Sequence, residues 1–244
     1  MLRGWDNSVG SSQVPATAWG NLPPYRSTKN TVRFTTVLFD LDGTLVDSFE
    51  LIVQGFRHAI RAVRNREATD DEVFARWGEP LRIRLESIAP PEQLPELFTA
   101  YTTFYQEHHD RLARLFPGVA EMIGQLARLG CALGVVTSKR RTTTEHDLEV
   151  FGLAPFIRAA VTSDDVSVFK PAADPVQEAL RRLGGEARDA LMVGDAVFDI
   201  CSGTAAGVAT AAALWGTRDR EAVLAAAPDY VVERPEEVPP LVAG

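Results

Sequence analysis

The chain has 244 residues, with 25 Lys and Arg against 33 Asp and Glu, which leaves a formal net charge of −8. With 45% hydrophobic and 24% charged residues it has material for a sizeable core, in one large domain or two small ones, and wholesale disorder is excluded. The acidic balance lacks the basic footprint of a nucleic-acid binder and no apolar run reaches membrane-spanning length, so neither nucleic acid nor a membrane is an expected partner.

Met1 to Asn30 holds Gly, Ser, Asn, Thr and Pro without a continuous apolar stretch, and is expected to be a flexible leader and not a signal peptide. Val32 to Asp40 reads as a buried strand ending in the turn Asp-Leu-Asp-Gly. Beyond Ser48, a predicted N-cap, the apolar residues Phe49, Ile52, Val53, Phe56, Ala59, Ile60 and Val63 recur at helical spacing. Thr69 and Glu72 have capping-box spacing before a short helix to Trp77, Gly78-Glu79-Pro80 breaks the chain, and Leu97, Tyr101, Phe104 and Tyr105 mark a further amphipathic helix. Nothing in this stretch alternates like a strand.

After Phe116-Pro117-Gly118, helices and strands take turns. Val119 to Leu129 forms a helical stripe closed by Gly130, Ala132 to Thr137 reads as a strand, and Thr142 with Glu145 is expected to box a helix ending at Gly152. Short apolar runs at Ala159 to Thr162, Ala190 to Gly194 and Val208 to Leu214 alternate with helical segments around Leu180 and Cys201. The pattern predicts an α/β fold with a Rossmann-like, doubly wound parallel sheet. The expected organisation is a catalytic core of residues 31–47 and 116–244, interrupted by an all-helical cap over 48–115. Cys131 and Cys201 are far apart and lack CxxC spacing, so neither a zinc site nor a disulfide is indicated and the expected compartment is the reducing cytoplasm.

Sheets of this kind bind ligands beyond the carboxyl ends of their strands. Four polar groups fall there: Asp40 and Asp42, Thr137 and Ser138, Lys170, and Asp195 with Asp199. Carboxylates crowded on one rim stay ionised only beside a cation, and oxygen ligands alone point to Mg²⁺. A carboxylate can attack phosphorus to form an acyl phosphate once the phosphoryl oxygens are neutralised and aligned, which Mg²⁺, Lys170 and Thr137 would do. A second carboxyl two residues on, Asp42, could protonate the leaving oxygen and later deprotonate water. Lysine occurs only at Lys29, Lys139 and Lys170, so a compact point charge at Lys170 stands out, whereas Lys139 is expected at the surface. For Asp199, metal binding and a charge at a helix N-terminus are equal readings.

FDLDGTLVDS, VVTSK, FKPAADP and VGDAVFD resemble, in order and spacing, the four signature motifs of the haloacid dehalogenase superfamily, over nearly everything from Val32 to Val242. The resemblance implies Asp40 as nucleophile, Asp42 as acid/base, Thr137, Ser138 and Lys170 at the phosphate, and Asp40, Asp42 and Asp195 at Mg²⁺, with Asp199 as a secondary acidic position. The helical stretch between the first two motifs resembles the cap of the phosphoglycolate phosphatase subgroup, and Gly78 to Leu81 (GEPL) resembles a segment shared with pyrophosphatase-like members. Two departures, Ala196 for Ser or Thr and Ala173 for Pro, touch no directly acting atom. Asp42 favours phosphate chemistry over dehalogenation, and a cap without lysine excludes imine-forming phosphonate hydrolysis.

The expected activity is Mg²⁺-dependent hydrolysis of a small phosphomonoester such as 2-phosphoglycolate by a monomer or homodimer. The alternatives are an inorganic pyrophosphatase, a sugar-phosphate mutase or, outside enzymology, a phospho-accepting signalling module, which would be half this length and lack the insertion. The histidines His58, His108, His109 and His146 are expected to be surface or partly packed residues, and Arg57, Arg61, Arg82 and Arg84 to face solvent. Trp77, Tyr101 and Phe104 are expected in the cap's own core.

Overall fold

A computed structural model of the chain describes residues 32–244, so the leader expected over residues 1–30 lies outside the described residues. The first strand is β1 (Thr36–Phe39), followed by β2 (Val46–Asp47) and four helices, α1 (Phe49–Arg64), α2 (Asp70–Phe74), α3 (Leu81–Ile88) and α4 (Leu94–Leu112). The chain returns through β3 (Arg114–Leu115) to α5 (Val119–Arg128), β4 (Ala132–Val136), α6 (Arg141–Val150) and β5 (Ile157–Val161). Next come α7 (Asp174–Leu183), β6 (Ala190–Gly194), α8 (Val197–Ala206), β7 (Ala209–Ala213), α9 (Arg220–Ala225), β8 (Tyr230–Val232) and α10 (Val238–Ala243).

Six strands form one parallel sheet in the order β5-β4-β1-β6-β7-β8. The first strand is central, and the chain winds outward from it first to one side and then to the other. The fold class read from the alternation is therefore the observed one. Both faces of the central strands are buried, which is why they read as continuous apolar runs. Val37 and Phe39 join the apolar cluster that holds Met122 and Leu126 of α5 and Val238 and Val242 of α10, while Leu38 joins Val176, Ala179 and Leu180 of α7. Each such fully buried large side chain contributes roughly 1.5–3 kcal/mol.

The helices α1–α4 are inserted between β2 and β3, and these two short strands pair antiparallel, with Val46 opposite Leu115 and Asp47 opposite Arg114. The ribbon draws the two crossing points together, and Arg114 reaches Asp47 at 2.7 Å. Two-residue strands leave no alternation to read, so the ribbon escapes a sequence scan; β8 is likewise too short to stand out. Within the insertion α1 packs along α4, with the Phe56 and Tyr101 rings edge to face at 5.1 Å. The Thr69–Glu72 capping box forms as its spacing requires. No helix among the described residues is long and apolar enough to cross a membrane.

Two predicted caps are replaced by stronger partners. Ser48 precedes α1 but caps nothing; it is buried, and its hydroxyl donates instead to the Asp42 carboxylate at 2.6 Å. Thr142 lies inside the first turn of α6, which opens after Arg140, and the Asp164 carboxylate from the loop after β5 accepts the Arg141 N–H at 3.0 Å. In both places a carboxylate distant from the helix end outcompetes the local hydroxyl arrangement because charge-assisted hydrogen bonds are the stronger ones.

Candidate active site

Parallel pairing puts the ends of β1, β4 and β6 side by side: Phe39 lies opposite Val135 on one flank and Val193 on the other. Asp40 continues the ladder one residue further, its N–H donating to the Val193 carbonyl at 3.0 Å. Thr137 and Asp195 leave the neighbouring strands at the same level. The tight turn after Asp40 passes so close to Asp195 that a Cβ on Gly43, whose φ is +88°, would lie 2.3 Å from the Asp195 Oδ2. Only glycine fits that backbone and that gap.

Lys170 enters from the loop between β5 and α7 and fills the centre. Its ammonium lies 2.6 Å from Asp199 Oδ1 and 3.0 Å from Asp40 Oδ1, and donates to the Val136 carbonyl at 3.1 Å, which uses all three of its donors. Burial opposes its charge, but the attraction of Asp199 and then Asp40 outweighs it, so Lys170 stays protonated. Two carboxylates bind this one ammonium and Asp195 crowds against them: oxygens of Asp40, Asp195 and Asp199 all lie within 4.8 Å of one another. Burial, followed by the charge of Asp199, pushes the Asp40 carboxyl up to about 7. Asp195 is raised well above its ordinary value by burial and then by Asp199 and Asp40, although Thr44 donates to its Oδ1 at 2.9 Å. A rim that holds more negative charge than its lysine can neutralise, with oxygen ligands only, fits a hard divalent cation.

Asp42 stands outside that group. The turn directs its carboxylate to the Ser48 hydroxyl at 2.6 Å and the Lys139 ammonium at 2.7 Å. Among side chains, the converging set is thus Asp40, Asp195 and Asp199, and the Asp42 carboxylate faces away from it. Asp199 sits in the first turn of α8, the helix-terminus position weighed for it, where it accepts the Ala196 N–H at 3.0 Å and pairs with Lys170 at 2.6 Å. Thr137 accepts the Lys139 N–H at 3.2 Å, which leaves its own hydroxyl proton to donate. Ser138 Oγ is buried and has no hydrogen-bond partner among the described residues. An orphaned hydroxyl at the end of a strand on this rim is what a phosphoryl oxygen would satisfy.

Several expectations for neighbouring residues are overturned. Lys139 is not at the surface: its side chain is 9% exposed and bonds Asp42 and Asp147, the latter at 2.6 Å. His109 is buried, with Nε2 2.8 Å from Asp147 Oδ1 and Nδ1 3.0 Å from Asp110 Oδ1. His109, Asp110 and His146 offer ligand atoms within 4.8 Å of one another, but both ring nitrogens of His109 are already held by carboxylates. Arg84 is buried, its guanidinium 4.0 Å from the Phe56 ring centre and bonded to the Val73 carbonyl, whereas Arg57, Arg61 and Arg82 are exposed as expected. Tyr101 and Phe104 are buried in the insertion, and Trp77 is half-buried against Arg84. Thr44 and Asp147 carried no sequence signal, because their partners Asp195 and His109 are far away in the chain; for Lys139 the scarcity of lysine was a signal that also pointed to Lys170.

The insertion sits on this rim. A Cβ on Gly78 would come within 2.7 Å of the Phe198 ring of α8, and the Arg218 guanidinium lies 3.6 Å from the Phe49 ring centre.

The sequence profile of the haloacid dehalogenase-like hydrolases matches residues 37–213, a span that begins in β1, ends in β7 and holds every rim group described above. The chain belongs to that family. It is 35% identical over 212 residues to the pyrophosphatase PpaX of Bacillus cereus, covering 87% of this chain and 98% of that protein. The Anoxybacillus flavithermus pyrophosphatase PpaX is 36% identical over 203 residues, covering 83% and 94%. Among solved structures, one described as a predicted phosphoglycolate phosphatase from Haemophilus somnus superposes with a TM-score of 0.77 at 23% identity, covering 85% of this chain and 97% of that one. A hydrolase from Pseudomonas syringae superposes at 0.72 with 26% identity, covering 82% and 94%. The protein is an enzyme, a haloacid dehalogenase-type phosphatase.

Proposed function

We propose that this phosphatase is a Mg²⁺-dependent hydrolase of small phosphorylated metabolites, working through an aspartyl phosphate on Asp40. The observation that carries the reading is the buried Lys170 ammonium held between Asp40 and Asp199 beside Asp195. Asp40 and Asp195 would hold Mg²⁺ directly; Asp199, whose oxygens are engaged by Lys170 and the Ala196 N–H, adds charge behind them. When bound, Mg²⁺ supplies the positive charge that neutralises both the attacking carboxylate and the phosphoryl oxygens.

The chain's own groups do the rest. Thr137 and Ser138 bind the phosphoryl oxygens, the charge of Lys170 beside Asp40 offsets theirs, and phosphorus is held in line with an Asp40 oxygen. Attack by that oxygen forms the Asp40 acyl phosphate and breaks the bond to the leaving oxygen, which takes the proton of Asp42. Asp42, now a carboxylate, accepts a proton from water as the water oxygen attacks phosphorus, which releases phosphate and restores Asp40. The helical insertion acts as a cap that excludes bulk water, with the β2–β3 ribbon as its hinge.

For the substrate, 2-phosphoglycolate and inorganic pyrophosphate are the two readings. Both are compact and carry a second anionic group, in keeping with a rim covered by the insertion. The 35% identity to a protein named a pyrophosphatase over 98% of its length favours pyrophosphate. The test is phosphate release from a panel holding both compounds and larger sugar phosphates, with Mg²⁺ and with EDTA. Turnover of one small compound that stops in EDTA is the expected result. Undiminished turnover in EDTA would sink the metal assignment, and a preference for large esters would sink the substrate class.

A further inference from the structure

The proposed chemistry assigns Asp42 its proton-transfer role but leaves three buried charged groups beside it without a task. Lys139, Asp147 and His109 continue from Asp42 as an unbroken series of contacts of 2.7, 2.6 and 2.8 Å, and Asp110 closes the series at 3.0 Å. The signs alternate along it, from Asp42 at the rim to Asp110, whose side chain is 73% exposed. The Asp147 side chain is fully buried and gives one oxygen to each neighbour, Oδ2 to Lys139 and Oδ1 to His109. Burial opposes every charge in the middle of the series. The partners nevertheless hold Lys139 and His109 above their usual values and Asp147 below its own.

A buried ion pair is weak evidence for stability, because desolvation consumes most of the attraction. A second buried carboxylate on a lysine that already has Asp42 needs another explanation, and the lysine's geometry provides one. The Lys139 backbone is fixed at both ends, its N–H on Thr137 Oγ1 and its carbonyl accepting from the Ser163 N–H at 2.9 Å. Its four-carbon stem remains flexible, and an ammonium bound to one carboxylate alone can follow that carboxylate or leave it. Asp147 takes a second donor and the Tyr105 ring lies 5.0 Å from the ammonium, so the charge next to Asp42 has a fixed position. His109 in turn holds Asp147, and it belongs to the last turn of α4, just before the ribbon strand β3.

We infer that Asp147 and His109 are positioning residues for catalysis: through Lys139 they fix the orientation of the Asp42 carboxyl that donates and accepts the proton, and they tie it to the end of the inserted helices. The inference rests on the reading of Asp42 as the acid/base.

The experiment compares kcat/KM for phenyl phosphate and p-nitrophenyl phosphate, two esters of similar shape whose leaving oxygens differ in their need for a proton. In the full-length enzyme, Asp42→Asn should lose far more activity on phenyl phosphate than on p-nitrophenyl phosphate. Asp147→Asn should do the same to a smaller degree, about tenfold on phenyl phosphate against less than about threefold on p-nitrophenyl phosphate. Combined with Lys139→Met, Asp147→Asn should add no further loss, since it acts through that lysine. His109→Gln should lower the same ratio less and carries the test should Asp147→Asn fail to fold. Equal losses on the two esters, or full additivity with Lys139→Met, would overturn the inference while leaving the function intact. Equal losses for Asp42→Asn itself would instead overturn the acid/base reading.

Discussion

Asp40 and Asp42 are two residues apart in the sequence, yet each heads a charge cluster of a different kind. Around Asp40, three carboxylates crowd together with one ammonium between two of them, and burial with mutual repulsion lifts two of the carboxyls. Around Asp42, acids and bases alternate and the Asp147 carboxyl is lowered, held by Lys139 and His109 against the cost of burial. The first cluster is short of positive charge and calls for a cation from outside. The second is balanced within the chain and serves position. Burial is common to both; the count of opposite charges separates them.

The sharpest way to break the contrast is Asp40→Asn. Loss of the nucleophile should cut turnover by at least about 10³-fold, the scale on which removal of such a group acts. The variant should also melt higher than the parent in EDTA at pH 8, because it removes one of the repelling charges; a lower melting temperature would show that the cluster is balanced without metal. Lys170→Met strikes the same cluster from the other side. Leaving buried carboxylates without their only ammonium should cost about 3–5 kcal/mol in denaturant unfolding, the range for breaking a buried pair.

The pH dependence of stability sharpens the comparison further. A carboxyl raised from 3.8 to about 7 binds its proton more tightly in the folded state, so without metal the protein should lose stability as pH rises from about 4 to about 7. Mg²⁺ should restore what is lost, and the metal-induced rise in melting temperature should grow across that interval. In the balanced cluster His109 lies above its usual 6.5, so its contribution is complete below that value and fades as pH rises through the folded one. That fading should persist with saturating Mg²⁺ and vanish in His109→Gln, which differential scanning fluorimetry over pH can follow. The smallest effect belongs to Thr69→Ala, which opens a capping box in neither cluster: about 1 kcal/mol of stability and no change in kcat are expected. A change in kcat would mean that α2 contributes to the rim.

Legibility followed the range of the interactions. The alternation of apolar runs announced the sheet, because strands buried on both faces need nothing but contiguous apolar residues. Asp40, Thr137 and Asp195 were found because each ends or follows such a run within a motif, and Lys170 because lysine is scarce and it lies in a motif. Ser48 and Thr142 were misread as caps because the carboxylates that set their surroundings, Asp42 and Asp164, act across turns or from another loop. Lys139 was placed at the surface and His109 at the surface or partly packed, although both are buried, because a charged residue on a helix or loop looks solvated until its partners are known.

By itself, then, the sequence determined the layer architecture, the helical insertion and the four groups at the strand ends, since these depend on local periodicity and on contiguous motifs. Only the tertiary structure decided which carboxylate goes with which cation. Asp42 parts from Asp40 to meet Lys139, Asp199 takes its place beside Lys170, and Asp147 and His109 gain a role, because ion pairing acts over a few ångströms and is blind to distance along the chain.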